Sequence, residues 1–150
     1  AESLAEVVRM LWPRIRSRRM DCVVDPPEVA LRIRANEGLF QEAVMNILDN
    51  AIKYGPESSL LTVTLLREDG WVVVEVMDEG PGMEEEELAY AGTRFRSGRR
   101  VTSGSGLGLA IALTVARASG GSMQVRNRSD RSGLIVSVRL PLAIESQLKA

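Results

Sequence analysis

Residues 37–56 read Glu37-Gly38-Leu39-Phe40-Gln41-Glu42-Ala43-Val44-Met45-Asn46-Ile47-Leu48-Asp49-Asn50-Ala51-Ile52-Lys53-Tyr54-Gly55-Pro56. Phe40, Val44, Ile47, Leu48 and Ala51 recur at the i, i+3, i+4 spacing that gives a helix one buried stripe, so a helix is predicted over 37–54. Gly55-Pro56 ends it, as a C-terminal glycine followed by proline should. Asn46 and Asn50 are four apart and share one side of the helix, a turn above each other. Lys53, three residues further on, falls on that side too. At about 100° per residue, this polar stripe is turned roughly a quarter revolution from the apolar one. The helix therefore buries one flank and offers two carboxamides and an ammonium on the next. A carboxamide oxygen is a hard, neutral ligand suited to Mg²⁺, which also keeps waters and takes phosphate oxygens. Lysine supplies a point charge for phosphate. The alternative is a solvated helix edge whose C-terminal lysine is favoured by the helix dipole.

Working downstream, strands are predicted over Leu61–Arg67 and Trp71–Met77, joined at Glu68-Asp69-Gly70, where Asp-Gly signals a hairpin. The second strand is an apolar run broken by Glu75, as expected of a buried central strand. It leads into Asp78-Glu79-Gly80-Pro81-Gly82-Met83. A carboxylate held at a strand's end by a glycine turn can accept a hydrogen bond from an exocyclic amine. Adenine has that amine at its six position, whereas guanine has an oxygen there and would be repelled. Gly80 and Gly82 permit close backbone approach; an ordinary acidic turn is the other reading.

Residues 78–106 lose periodicity while gaining glycine, serine and charge, and so long a stretch inside a compact domain is usually functional. Glu84-Glu85-Glu86-Glu87 reads as the solvated start of a short helix rather than as a metal site. Arg94, Arg96, Arg99 and Arg100 surround Phe95, and arginine forks suit phosphate oxygens. Gly92, Ser97, Gly98, Ser103 and Gly104 suggest a lid, against the alternative of a charge-mixed solvated loop. Gly104-Ser105-Gly106-Leu107-Gly108-Leu109 then opens a helix predicted over Leu107–Ser119. Glycines there expose backbone N–H groups to an anion, though a flexible hinge fits equally. No Gly-Lys-Ser/Thr follows, which excludes a P-loop. No strand leads tightly into it and no acidic residue sits at dinucleotide spacing, which excludes a Rossmann site.

Upstream, Leu4, Val7, Val8, Leu11 and Ile15 predict a helix over residues 4–20, kinked or ended early by Pro13. Its arginines, Arg9, Arg14, Arg16, Arg18 and Arg19, form a solvated face or meet an acidic neighbour. Pro26-Pro27 marks a turn between short strands expected at 21–24 and 29–34. At the other end Gly120-Gly121 stops the last helix. Ser122–Asn127 and Leu134–Leu140 form a closing hairpin across Ser129-Asp130-Arg131-Ser132-Gly133. The order α, ββ, α, ββ, long loop, α, ββ favours an α+β sandwich with helices on one sheet face.

The chain has 150 residues, one domain's worth, with 45% hydrophobic and 26% charged residues, as in soluble globular proteins. Its single cysteine, Cys22, excludes an internal disulfide framework and a cysteine-built zinc site. It contains no histidine, so no imidazole serves as base, metal ligand or phosphoacceptor. A net charge of −1 gives no bulk attraction to nucleic acid or to an anionic membrane. No apolar run approaches the roughly 20 residues of a membrane span, and the N-terminus lacks a signal-peptide pattern. The expectation is a free cytoplasmic protein or a soluble piece of something larger.

Taken together these segments resemble the ATP-binding catalytic domain of bacterial sensor histidine kinases, within the wider GHKL superfamily. Asn46 to Tyr54 looks like the N box, Asp78 to Gly82 like the G1 box, Thr93-Arg94-Phe95-Arg96 like a shortened F box, and Gly104 to Leu109 like the G2 box. The resemblance runs from about residue 3 to Leu142. It implies a two-layer sandwich of Bergerat type, a mixed, mostly antiparallel sheet covered on one face by three helices. The whole of 1–150 is then one domain with an ATP lid at about 84–106. Asn50 is expected to coordinate Mg²⁺ on the ATP phosphates, with Asn46 beside it. Lys53 and Tyr54 are expected at phosphate or nucleoside, and Asp78 at the adenine amine. Gly80, Gly82 and Met83 would shape the base pocket. Arg94, in preference to Arg96, would touch the terminal phosphate, and Gly104, Ser105, Gly106, Leu107, Gly108 and Leu109 would close on phosphate. Leu134 stands where many relatives carry a threonine near the adenine.

Hydrolysing members of the superfamily place a water-activating glutamate one turn before the metal-binding asparagine. Asn46 occupies that slot here and cannot act as a base. The resemblance therefore implies phosphoryl transfer by positioning and charge neutralisation. The acceptor histidine would lie on dimerisation helices outside this chain, with a response regulator downstream. The parent would be homodimeric and membrane-anchored, with this domain on the cytoplasmic side. An anti-sigma-type serine protein kinase and a non-catalytic nucleotide-binding module are the alternatives.

Overall fold

The computed structural model describes residues 2–25, 31–90 and 105–143. Helix α1 spans Glu2–Ser17, β1 Asp21–Asp25, α2 Glu37–Tyr54, β2 Leu60–Glu68 and β3 Trp71–Met77. A short α3 (Glu85–Tyr90) precedes α4 (Ser105–Ala118), β4 (Ser122–Asn127) and β5 (Leu134–Pro141).

Helix α1 runs through Pro13, since Leu4, Val7, Leu11 and Ile15 keep one buried stripe on both sides of it. It stops at Ser17 rather than near residue 20. Arg19 takes a φ of 56°, its N–H reaching the Arg16 carbonyl and that of Met20 the Ile15 carbonyl at 3.0 Å. This is a Schellman motif with arginine in the usual glycine position. Helix α2 matches the expected 37–54. The Asn36 side chain accepts the Leu39 N–H at 3.0 Å and caps its start. At its end Gly55 is extended (φ −67°, ψ 142°) rather than left-handed. Pro56 imposes that extended backbone on the residue before it. Glycine is required for space instead: a Cβ at 55 would stand 2.8 Å from the Ala51 carbonyl oxygen, which is fixed backbone.

The sheet order is β1-β2-β3-β5-β4, with β3 central. β2, β3, β5 and β4 pair antiparallel, while β1 pairs parallel with β2, Val24 facing Val63. The strand expected at 29–34 is not formed over its described residues 31–34. Parallel pairing across α2 gives β1 its neighbour instead. Residues 26–30, Pro26-Pro27 included, lie outside the described residues, and Leu31–Arg34 makes a single bridge, Ile33 to Leu142. That segment is clipped to the end of β5 and the residues after it by Arg34 N–H to the Pro141 carbonyl and Ala143 N–H to the Arg32 carbonyl, both 2.9 Å.

Alternation along the strands sends one set of side chains to the helices. Leu61, Val63 and Leu65 of β2, Val74 and Val76 of β3, and Leu134, Val136, Val138 and Leu140 of β5 are buried in one core. Phe40, Val44, Ile47, Leu48 and Ala51 of α2 meet them, with the α1 stripe and Leu109, Ala112, Val115 and Ala116 of α4. Three helices therefore cover one face of a mostly antiparallel five-stranded sheet. Arg14 of α1 pairs with Asp49 of α2, so one α1 arginine does meet an acidic neighbour.

Candidate functional site

The C-terminal half of α2 lies between the loop that leaves β3 and the start of α4. Asn46 is half-buried, and its Nδ2 donates to the Glu42 carbonyl at 2.8 Å. Its Oδ1 lies 3.6 Å from where a Cβ on Gly108 would stand, so α4 crosses α2 at this asparagine. One turn on, Asn50 is 4% exposed and its Oδ1 has no hydrogen-bond partner among the described residues. An unsatisfied buried amide oxygen costs about 1–3 kcal/mol. A cation or donor that arrives on binding removes that cost, and a hard neutral oxygen fits Mg²⁺. Lys53 is exposed and Tyr54 half-buried at the end of the same helix.

The β3 loop reaches that helix end through glycine. A Cβ on Gly80 would sit 2.8 Å from the Tyr54 carbonyl oxygen, so a side chain there would push the loop off α2. Asp78 begins the loop and is 3% exposed. Its backbone N–H reaches the Leu134 carbonyl at 3.1 Å, extending the β3–β5 ladder. Its Oδ1 accepts N–H bonds from Gly80 at 2.9 Å and Leu134 at 3.1 Å. Buried carboxylates need such donors. A carboxylate offers about four lone-pair sites, and these two backbone bonds to one oxygen fix its orientation at the end of β3. Leu134 contributes only its backbone here, its side chain being buried in the core.

Glu79 points the other way. Its carboxylate accepts the Leu60 N–H at 2.6 Å and an Arg131 N–H at 2.8 Å. The Leu60 N–H, then Arg131, hold its carboxyl below the usual glutamate range. Gly82 has a φ of 73°, and half-buried Met83 ends the loop.

The acidic run begins α3, with Glu85, Glu86 and Glu87 in its first turn. Arg94, Arg96 and Gly104 lie outside the described residues. Ser105, Gly106 and Leu107 form the first turn of α4, and Leu109 is buried in the core. The structure thus brings Asn46, Asn50, Tyr54, Gly80 and Gly108 to one region, with Asp78 holding the loop's base. Sequence reasoning missed the β4–β5 turn, treated there only as a connection. Asn127, Arg128, Arg131 and Ser132 all bond to the Asp78–Met83 loop. Two arginines and a serine crowded into one hairpin turn were the available signal.

A cavity of about 470 Å³ lies elsewhere, lined by Phe40, Leu65, Val72, Glu2, Glu37 and Arg32 among others. Phe40 and Lys53 are 13 residues apart on α2, roughly 20 Å at 1.5 Å per residue, so this cavity is at the far end of the helix.

The family described as Histidine kinase-, DNA gyrase B-, and HSP90-like ATPase matches residues 35–144, a span that contains α2, the Asp78–Met83 loop and α4. The chain belongs to this family. The signal transduction histidine-protein kinase/phosphatase MprB of Mycobacterium sp. (strain KMS) is 35% identical over 127 residues, 83% of this chain and 25% of that protein. A solved mycobacterial MprB sensor histidine kinase is 29% identical, with a TM-score of 0.76 over 92% of this chain and 95% of that one. The catalytic domain of the histidine kinase ThkA superposes with a TM-score of 0.83 at 25% identity, over 93% and 90% of the two chains. Full-length ShkA, solved in complex with AMPPNP, superposes with a TM-score of 0.81 at 27% identity, over 95% of this chain and 30% of that one. The chain spans between 13% and 37% of the length of the curated relatives it matches, a quarter in the case of MprB. Among the described residues no helix is long and apolar enough to cross a membrane.

Proposed function

We propose that this chain is the catalytic domain of a two-component sensor histidine kinase, binding Mg-ATP and directing its γ-phosphoryl group to a histidine on separate dimerisation helices. The observation that carries this reading is the buried Asn50 Oδ1, without a hydrogen-bond partner among the described residues, one turn beyond an asparagine that cannot act as a base. Asp78 receives the adenine amine through its carboxylate, held in place by the Gly80 and Leu134 N–H groups. Gly80, Gly82 and Met83 shape the base side. Asn50, with Asn46 beside it, would hold Mg²⁺, which when bound neutralises charge on the phosphates. Lys53 and Tyr54 contact phosphate or nucleoside. The α4 N-terminus, from Ser105 through Gly108 and opened by Gly104, offers N–H groups and the positive end of the helix dipole to phosphate. Arg94 or Arg96, on a lid at about 84–106, neutralises the terminal phosphate.

Asn46 favours transfer over hydrolysis, because no carboxylate stands there to deprotonate water. An imidazole nitrogen is already nucleophilic, so positioning and charge neutralisation suffice. The chain has no histidine, so the acceptor is supplied by another segment. The parent protein is homodimeric and membrane-anchored with this domain on the cytoplasmic face, and a response regulator receives the phosphoryl group; these rest on family analogy.

The test incubates the chain with Mg²⁺, γ-labelled ATP and a histidine-bearing dimerisation domain of a sensor kinase. Label in the dimerisation domain, stable to alkali and lost in acid, is expected of phosphohistidine. Acid-stable, alkali-labile label on a protein hydroxyl would instead support the serine-kinase alternative. Nucleotide binding with no label passed to any acceptor would instead support the non-catalytic nucleotide-binding module.

A further inference from the structure

We propose that the β4–β5 hairpin is a positioning strap for the base-binding loop, and that Asn127 is its principal positioning residue. This rests on the nucleotide-binding reading above. Beyond Asp78 the loop leaves the ladder, and Gly80-Pro81-Gly82 would otherwise leave its course open. The hairpin supplies what the ladder no longer does. Asn127 Oδ1 accepts the Met83 N–H at 2.8 Å, and Asn127 Nδ2 donates to the Met83 carbonyl at 2.7 Å. The carboxamide acts as one further peptide rung added to the sheet. Gly82 makes room for it: a Cβ there would stand 2.6 Å from Asn127 Oδ1, and its φ of 73° disfavours any other residue.

The rest of the hairpin fastens the loop upstream of Met83. Ser132 Oγ donates to the Gly80 carbonyl at 2.6 Å, and Arg131 bonds Glu79 at 2.8 Å. Arg128 donates to the Asp78 carbonyl at 3.1 Å, while its Nε and second terminal nitrogen hold Asp130 at 3.0 and 2.9 Å. Asp78, Glu79, Gly80 and Met83 are thus all held from one turn. Met83 is the last of them before the acidic run and α3, so Asn127 fixes the point where the base loop gives way to the lid. Freeing that point returns conformational entropy that base binding must then remove.

The test uses the full chain and competition titrations with two probes, adenosine and Mg-tripolyphosphate, alongside Mg-ATP and a melting curve. Asn127→Ala is expected to weaken Mg-ATP and adenosine by about tenfold, equivalent to about 1.4 kcal/mol, with tripolyphosphate affinity unchanged. Asn127→Asp keeps an acceptor for the Met83 N–H but sets an oxygen against the Met83 carbonyl, and should give a loss in the same direction. It also serves if the alanine variant does not fold. A merely structural role would lower the melting temperature without separating base from phosphate. Unchanged adenosine affinity in a folded variant overturns the inference, as does an equal loss for tripolyphosphate. A wild-type chain that binds no adenosine nucleotide overturns the proposed function itself and this inference with it.

Discussion

Replacing Asp78 by asparagine removes one charge and keeps the shape. Its Oδ1 accepts two backbone N–H bonds, at 2.9 and 3.1 Å, from Gly80 and Leu134. Hydrogen bonds to a charged group contribute about 1.5–3 kcal/mol and neutral ones about 0.5–1.5. The change therefore costs about 1 kcal/mol per bond, about 2 in all. Relief from burying a carboxylate that is 3% exposed offsets part of this. The net loss of about 1 kcal/mol corresponds to a fall of about 3 °C in melting temperature for a domain of this size. The effect on binding is larger. The asparagine amide sets a donor against the adenine amine, so a charge-assisted bond is lost and two donors are opposed. That costs about 2–3 kcal/mol, or roughly fiftyfold in ATP affinity. The same amide can donate to the oxygen at guanine's six position, so the preference for ATP over GTP should shrink too. Competition titration of both nucleotides, with a melting curve for the variant, measures all three. A cooperatively folded D78N chain whose ATP affinity stays within about twofold of wild type, or whose nucleotide preference is unaltered, would refute the adenine assignment.

Asn50→Ala should leave a folded chain in which adding Mg²⁺ no longer strengthens ATP binding; titrations with magnesium and with a chelator check this. Glu79 has a depressed folded-state pKa, so its stabilising contribution is present above the unfolded glutamate value of about 4.3 and is lost as pH falls through the folded one. Glu79→Gln should therefore melt about 2 °C lower at neutral pH, with the gap to wild type closing on acidification below pH 4; melting curves across pH 3–8 read the difference.

Much of this architecture was legible because α2 carries two messages at different angles. Its apolar stripe named the buried flank, and Asn46, Asn50 and Lys53 named the flank beside it. The buried run of β3 and the Asp69-Gly70 turn likewise fixed a central hairpin, since period and turn chemistry are local properties. What escaped the sequence was non-local. A strand at 29–34 looked plausible from composition, but β1 is paired with β2 across an intervening helix, and Ile33 is bridged only to Leu142. Gly55 was rightly placed at a helix end, but its backbone is extended and its need for glycine is one of space, set by the Ala51 carbonyl oxygen. Proline at 13 was overruled by a buried stripe that continues past it. The crowded polar turn marked the strap residues as unusual but not their target: Asn127 is 44 positions from Met83, and nothing in a hairpin turn tells which loop it will face. Arg94 and Arg96 rest on the family resemblance alone, since they lie outside the described residues.

The most direct measurement is an amide and side-chain NMR titration of the full chain with AMPPNP, without and then with Mg²⁺. The account predicts shifts at Gly80, Met83 and Leu134 on adding nucleotide, and a further shift of the Asn50 carboxamide only once Mg²⁺ is present. Shifts gathered instead around Phe40, Arg32 and Val72 at the far end of α2, with residues 78–83 unmoved, would contradict it.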